Sequence, residues 1–206
     1  MYTYLKRPLD FLISLIALVI LSPIFLIIAV WIKLNSKGPV FFRQKRVGKN
    51  KELFEIYKFR SMRTDTPSDM PTHLLNDPEA FITSSGIFLR KTSLDELPQL
   101  INIIKGDMAI IGPRPALWNQ YDLIEERDKY KANNIRPGLT GWAQINGRDE
   151  LEIPVKAKLD GDYVKKMSLL FDIKCFVGTI ISVFRSDGVI EGGTGTIEKA
   201  KDDLEK

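Results

Sequence analysis

Residues 11–32, FLISLIALVILSPIFLIIAVWI, form one apolar run without a charge. At ~1.5 Å rise per residue, a straight helix of this length covers ~33 Å, about the thickness of a bilayer core. A removable secretory signal fits poorly, because the run is long and no small-residue cleavage site follows it. A single membrane span fits the length. Two details fit a re-entrant helix instead. Ser22-Pro23 sits mid-run, where proline removes a helical hydrogen bond and crowds the preceding turn. Both flanks are also basic, with Lys6 and Arg7 before the run and Lys33, Lys37, Arg43, Lys45 and Arg46 after it. Positive flanks mark the cytoplasmic side, so a span strands one cluster. A helix that enters, breaks at Ser22-Pro23 and leaves keeps both clusters on one side, with Ser22 able to satisfy a freed backbone group. On these residues alone, span and re-entrant helix both stand.

Beyond the run the pattern shortens. VFFRQKRV (40–47) and ELFEIYKF (52–59) are β-rich and flank GKNK, which predicts a hairpin. Residues 64–86 carry three prolines among Ser, Thr and Asp and read as a loop. Pro115 is placed to open a helix running to about Asn134. Residues 154–166 and 168–185 read as two further helices. The second is apolar nearly all round except Asp172 and Lys174, so it is either core or lies against lipid. The tail from Gly192 is glycine-rich, then charged. The expected fold is mixed α/β and predominantly helical: a membrane helix over 1–36, a catalytic domain over 37–190 with a small hairpin, and a tail over 191–206.

Composition narrows the chemistry. The 206 residues are 44% hydrophobic, enough for one sizeable core. A net charge of +4 and a pI near 9.0 favour anionic partners such as phosphates, nucleotides or acidic lipid. The single cysteine, Cys175, lies in an apolar run and reads as a buried inert thiol. The single histidine, His73, leaves too few ligands for a His/Cys zinc site. Catalysis must therefore rest mainly on carboxylates and cations.

The candidate chemistry gathers in KTSLDELPQL (91–100). Ser93 to Glu96 matches a capping box, but with Ser93 as the cap Pro98 would break the ladder. With Asp95 as N-cap, Pro98 falls where N–H groups have no helical partner, and Leu97, Leu100, Ile101 and Ile104 form the buried face before Gly106 ends the helix. Asp95 is then either a cap alone or a chemical group. A helix start attracts anions, and Arg90 and Lys91 lie just before it. Adjacent carboxylates can hold Mg²⁺ beside substrate phosphates, and one can attack phosphorus. They are badly placed for glycoside hydrolysis, which needs carboxyl groups ~5–9 Å apart across a sugar. Further cations stand ready: Lys58, Arg60 and Arg63 around KFRSMR, Arg114 between the prolines of GPRP, and Arg136 and Arg148 at the ends of RPGLTGWAQINGR. The glycines of that last segment suit backbone close to a ligand, and Trp142 suits stacking on a base.

The ordered set KRPLD (6–10), LSP (21–23), GPVFFRQKRVG (38–48), YKFRSMR (57–63), LRKTSLDELPQL (89–100), GDMAIIGPRP (106–115) and RPGLTGWAQINGR (136–148) resembles the small monotopic phosphoglycosyl transferases. These are bacterial sugar-1-phosphate transferases that act on polyprenyl phosphate. DYV (162–164) and SLLFDIK (168–174) extend the likeness to about residue 190. The resemblance implies a helix re-entrant at Ser22 and Pro23, and a domain on the cytoplasmic leaflet of the bacterial inner membrane. It implies a UDP-sugar donor, undecaprenyl phosphate as acceptor and Mg²⁺ as cofactor. Asp95 matches the nucleophile that forms a phosphosugar-enzyme and releases UMP, and Glu96 matches the acid that binds Mg²⁺ with it. Arg114 matches a nucleotide contact. Lys58, Arg60, Arg90 and Arg148 are expected near phosphate, with Asp160 and Asp162 in support. A homodimer and glycosyltransferases of the same pathway are further possible partners.

Two other classes compete. A membrane-anchored scaffold with a basic face predicts that Asp95→Asn is harmless. A direct transferase, working through a ternary complex, predicts UMP only when both substrates are present. Nucleic-acid binding is disfavoured by the apolar run and by the lack of a helix-turn-helix or zinc signal.

Overall fold

The computed structural model describes residues 2–67, 78–147 and 151–185. Helices dominate it. Helix α1 (Tyr2–Asn35) takes in the whole apolar run. Among the described residues it is the one helix long and apolar enough to cross a membrane, and only 11% of its most apolar window is buried against the protein. The break expected at Ser22-Pro23 is not an interruption, since both residues lie inside α1. Pro23 has no N–H to give the carbonyl four residues back, that of Val19. Ser22 Oγ donates to that carbonyl instead, at 2.8 Å. The serine satisfies the group that proline orphans, and the helix continues.

Both ends of α1 are fastened to the same body. Near the N-terminus, Arg7 donates to the carbonyls of Ile103 and Ile104 at 2.5 and 3.0 Å. Lys6 reaches Asp172 at 2.6 Å and Asp10 at 3.5 Å. At the other end, Asn35 Oδ1 accepts from the backbone N–H and hydroxyl of Ser85 at 3.1 and 3.0 Å. Ile28 and Ile32 pack there with Phe59 and Leu89.

The hairpin forms as the alternation predicts. Strand β1 (Phe41–Val47) pairs antiparallel with β2 (Leu53–Phe59), from Phe41 opposite Phe59 to Val47 opposite Leu53. Asn50 and Lys51 supply the positive-φ residues of the turn, at 54° and 66°. The loop expected over 64–86 ends early. Thr83 caps α2 (Ser84–Lys91) by accepting from the Gly86 N–H at 3.1 Å. Gly86 is required there, because a Cβ would meet the Ser61 carbonyl oxygen at 1.8 Å. His73 lies outside the described residues.

Helix α3 (Gln99–Lys105) begins after Pro98, its N-cap, and ends at left-handed Gly106. Asp95 is therefore not the cap. It sits in a 3₁₀ turn, Leu94–Glu96, entered through left-handed Ser93. Pro98 explains the shift: it forgoes its own N–H outside the ladder instead of within the first turn. The buried Asn102 then joins α3 to the hairpin. Its Oδ1 accepts from the Tyr57 N–H at 2.9 Å, and its Nδ2 donates to the Glu55 carbonyl at 2.7 Å.

Strands β3 (Ala109–Ile111) and β4 (Gly138–Thr140) pair in parallel. The helix expected from Pro115 to Asn134 is shorter. Residues 112–117 are not helical, with Val47 N–H bonded to the Ala116 carbonyl at 2.9 Å, and α4 spans only Tyr121–Asp128. Helix α5 (Trp142–Ile145) follows β4. Helices α6 (Ile153–Lys166) and α7 (Leu169–Arg185) match the two expected helices within a residue. Helix α7 is two-sided: Asp172 and Cys175 are buried in the core, while Leu169, Leu170, Ile173, Val177 and Ile180 are exposed. Burial pushes the Cys175 thiol up to about 11, the inert state expected of it.

Asp172 gathers a buried cluster. It accepts from Lys6 at 2.6 Å and from Tyr163 at 2.7 Å, joining α1, α6 and α7. Asp172→Ala leaves the buried Lys6 ammonium with Asp10 alone and removes an acceptor of Tyr163, and is expected to cost about 1–3 kcal/mol. Denaturant unfolding in detergent checks this, and an unchanged midpoint would mean that the cluster does not hold α1.

Candidate active site

Two carboxylates from one turn meet cations from two other segments. Strand β2, held in place by Asn102, delivers Lys58 Nζ to Glu96 Oε1 at 2.7 Å and to Asp95 Oδ2 at 4.0 Å. The parallel β3–β4 pair delivers Arg114. Gly138 N–H bonds the Pro113 carbonyl at 2.8 Å, and Gly112 N–H bonds the Thr140 carbonyl at 2.8 Å. Arg114 Nη2 then reaches Glu96 Oε1 at 2.8 Å and its Nη1 reaches Oε2 at 3.4 Å, a fork on the carboxylate.

The electrostatics split the pair. Burial works to raise Glu96, but the charges of Arg114 and Lys58 outweigh it and hold its carboxyl well below the usual range. Burial pushes the Asp95 carboxyl up; Lys58 opposes this and the Glu96 charge adds to it. Glu96 is thus the fixed anion. Asp95, 7% exposed, is the less committed one.

Asp95 is buried but not sealed in. It lines a cavity of about 760 Å³ together with Arg43, Arg46, Lys58, Arg60, Arg63 and Arg90. Six cationic side chains thus line the space, although Arg63 is ion-paired with Asp65 at 2.6 Å, and its volume falls on the usual ligand-pocket scale of ~300–1,000 Å³. Arg90, in the last turn of α2, keeps a buried Nε with no partner among the described residues. Glu96 and Arg114 line a second, smaller cavity, with Gln144, Leu139 and Phe176.

Other expected site residues are engaged elsewhere. Arg60 borders the large cavity, yet its guanidinium donates to the carbonyls of Ser36 and Lys37 at 2.7 Å each, so it clamps the exit of α1. Asp160 is 1% exposed and pairs with Arg127 Nη2 at 2.6 Å between α4 and α6, lining neither cavity. It is a structural anion whose carboxyl burial pushes up. Trp142 packs against Phe171 at 5.0 Å and under Lys174 at 4.9 Å, so its ring is not free to stack on a base. Gly138 and Gly141 serve backbone packing, not a ligand: a Cβ on either would come within 2.1 Å of Gly112. Arg136 donates to the Gly106 carbonyl at 2.8 Å. Arg148 lies outside the described residues. Sequence reasoning missed Asn102 and Gln144. Each is a single amide in an apolar stretch, a signal that marks burial without naming a partner.

The fold and site define a membrane-associated class with a cationic, carboxylate-bearing cavity beside an apolar helix. The family model for bacterial sugar transferases matches residues 1–186, and the chain belongs to that family. It is 38% identical over 195 residues to the uncharacterized sugar transferase EpsL of Bacillus subtilis, covering 95% of both chains. It is 42% identical over 190 residues to the exopolysaccharide production protein PSS of Rhizobium leguminosarum, covering 86% of this chain and 94% of that one. It is 41% identical over 189 residues to the UDP-glucose:undecaprenyl-phosphate glucose-1-phosphate transferase of Escherichia coli, covering 87% of this chain but 40% of that longer protein.

Lys58 supplies the first charge that opposes burial at Asp95. Removing a cation disfavours the carboxylate, so Lys58→Met should drive the Asp95 carboxyl further up. Carboxyl-¹³C aspartate NMR, assigned with Asp95→Asn, reads this directly. A midpoint that stays put would show that Lys58 does not tune Asp95.

Proposed function

We propose that the protein transfers a sugar 1-phosphate from a UDP-sugar to undecaprenyl phosphate. The single observation that carries this is the Asp95 carboxylate, set in a cavity lined by six cations. The printed activity of the Escherichia coli relative supports both substrate classes. In this reading an Asp95 oxygen attacks the β-phosphorus of the donor. The P–O bond to the α-phosphate breaks, UMP departs with that electron pair, and the sugar phosphate stays on Asp95 as an acyl phosphate. An oxygen of the lipid phosphate then attacks the same phosphorus, and the Asp95 carboxylate leaves to regenerate the enzyme. Lys58, Arg90 and Arg114 offset the charge that builds on the phosphoryl oxygens. Arg114 also keeps Glu96 ionised and aligned.

Mg²⁺ fits this donor set. Asp95 and Glu96 offer two hard carboxylates, the number that commonly holds Mg²⁺ beside substrate phosphates. Binding at Glu96 would exchange Lys58 or Arg114 for the metal. When bound, the ion supplies Lewis-acid polarisation of the phosphoryl oxygens and neutralises the departing nucleotide.

The attachment of α1 supports a re-entrant, one-sided arrangement. Lys6 and Arg7 at one end and Asn35 at the other bond the same domain. A helix whose two ends meet one body has both ends on that body's side of the bilayer. Basic residues at both flanks make that side the cytoplasmic one.

Incubation with Mg²⁺ and a panel of UDP-sugars, without lipid, should add one phosphosugar mass to the wild type and none to Asp95→Asn, with UMP released. Chelation should abolish the adduct. UMP that appears only when lipid is also present would favour a ternary-complex transferase, and an Asp95→Asn variant with full activity would sink the catalytic reading. For topology, Thr3→Cys and Lys37→Cys, each made in a Cys175→Ser background, should label from the same face; opposite faces would overturn the re-entrant arrangement.

A further inference from the structure

The adjacent acids face different cavities. Asp95 borders the large cationic one, whereas Glu96 borders a separate cavity of about 160 Å³. Gln144 of α5 lines that smaller space. It is 6% exposed, and neither its Nε2 nor its Oε1 has a hydrogen-bond partner among the described residues. An amide buried with both ends unpaired is costly, and it marks a place where a ligand supplies the missing partner.

The surroundings choose the ligand. Leu97, Ile110, Leu139, Ile145 and Phe176 line it beside the hydroxyl residues Ser93, Thr140, Thr179 and Ser182, and the charged groups, Glu96 and Arg114, are paired with each other. The apolar part suits hydrocarbon, and Gln144 Nε2 beside Arg114 suits one anionic end. The space is below the usual range for a nucleotide-sized ligand. Phe176 both lines it and is 52% exposed, so the cavity reaches the surface on α7. There Ile173, Val177, Ile180 and Ile181 present an apolar face outward.

We infer that this cavity receives the phosphate-bearing end of the polyprenyl acceptor, entering past α7, with Gln144 Nε2 donating to the lipid phosphate as its positioning group. The inference rests on the transferase reading and adds a location for the second substrate. It involves the second half-reaction alone, in which a lipid phosphate oxygen forms the new bond to phosphorus and the Asp95 carboxylate departs.

The test is Gln144→Leu, which keeps the bulk and removes the amide, beside the conservative Gln144→Asn. With UDP-sugar alone, the rate of adduct formation should match the wild type, which also reports a folded protein. With undecaprenyl phosphate, the acceptor KM should rise about ten- to a hundred-fold, the range for losing one hydrogen bond to a charged group, while the donor KM stays put. Gln144→Asn should recover part of the loss. A slowed donor half-reaction, a raised donor KM or an unmoved acceptor KM would each overturn the assignment. If the wild type forms no adduct, the covalent reading fails separately. The split between acceptor and donor KM in the steady state still decides the role of Gln144.

Discussion

A buried carboxylate survives as an anion only where cations meet it, and Glu96 meets two. Lys58 and Arg114 arrive from different parts of the chain, and their charges outweigh the desolvation of the Glu96 carboxyl. The rest of the molecule can be understood as support for that meeting. Asn102 sews the hairpin to α3 so that Lys58 arrives from one side. The close backbone contact of Gly112 and Gly138 sets the GPRP segment so that Arg114 arrives from the other. The consequence falls on the neighbour. With both cations committed to Glu96, Asp95 is left raised by burial and bordering a basic cavity.

A second constraint is solvent. Helix α1 and one side of α7 expose broad apolar surface, and for α1 the family and its hydropathy support membrane association. The same body grips α1 at both ends, through Lys6 and Arg7 early and Asn35 late. Pro23 does not cut the helix, because Ser22 takes over the orphaned carbonyl. The proline is tolerated by local repair, and the placement of α1 comes from its ends.

Much of this was legible in the residues. The apolar run, the hairpin around GKNK, α6, α7 and the inert Cys175 follow from periodicity, turn chemistry and burial. The pairing of Asp95 and Glu96 with nearby cations was visible as a motif. Sequence reading did not give the protein contacts of Arg60, Asp160 and Trp142: the carbonyls after α1, Arg127, and Phe171 with Lys174. Side-chain chemistry says what a group can bind, not which partner reaches it first.

The chain by itself determined the apolar N-terminal helix, the order of elements and the adjacency of the two acids at 95 and 96, because these depend on local composition and on spacing of a few residues. Only the tertiary structure decided that Glu96 takes the cations and Asp95 the cavity, that Gly112, Gly138 and Gly141 pack backbone against backbone, and that Gln144 is buried without a partner among the described residues. Those outcomes depend on contacts between segments far apart in sequence, and competition among such contacts is settled by packing.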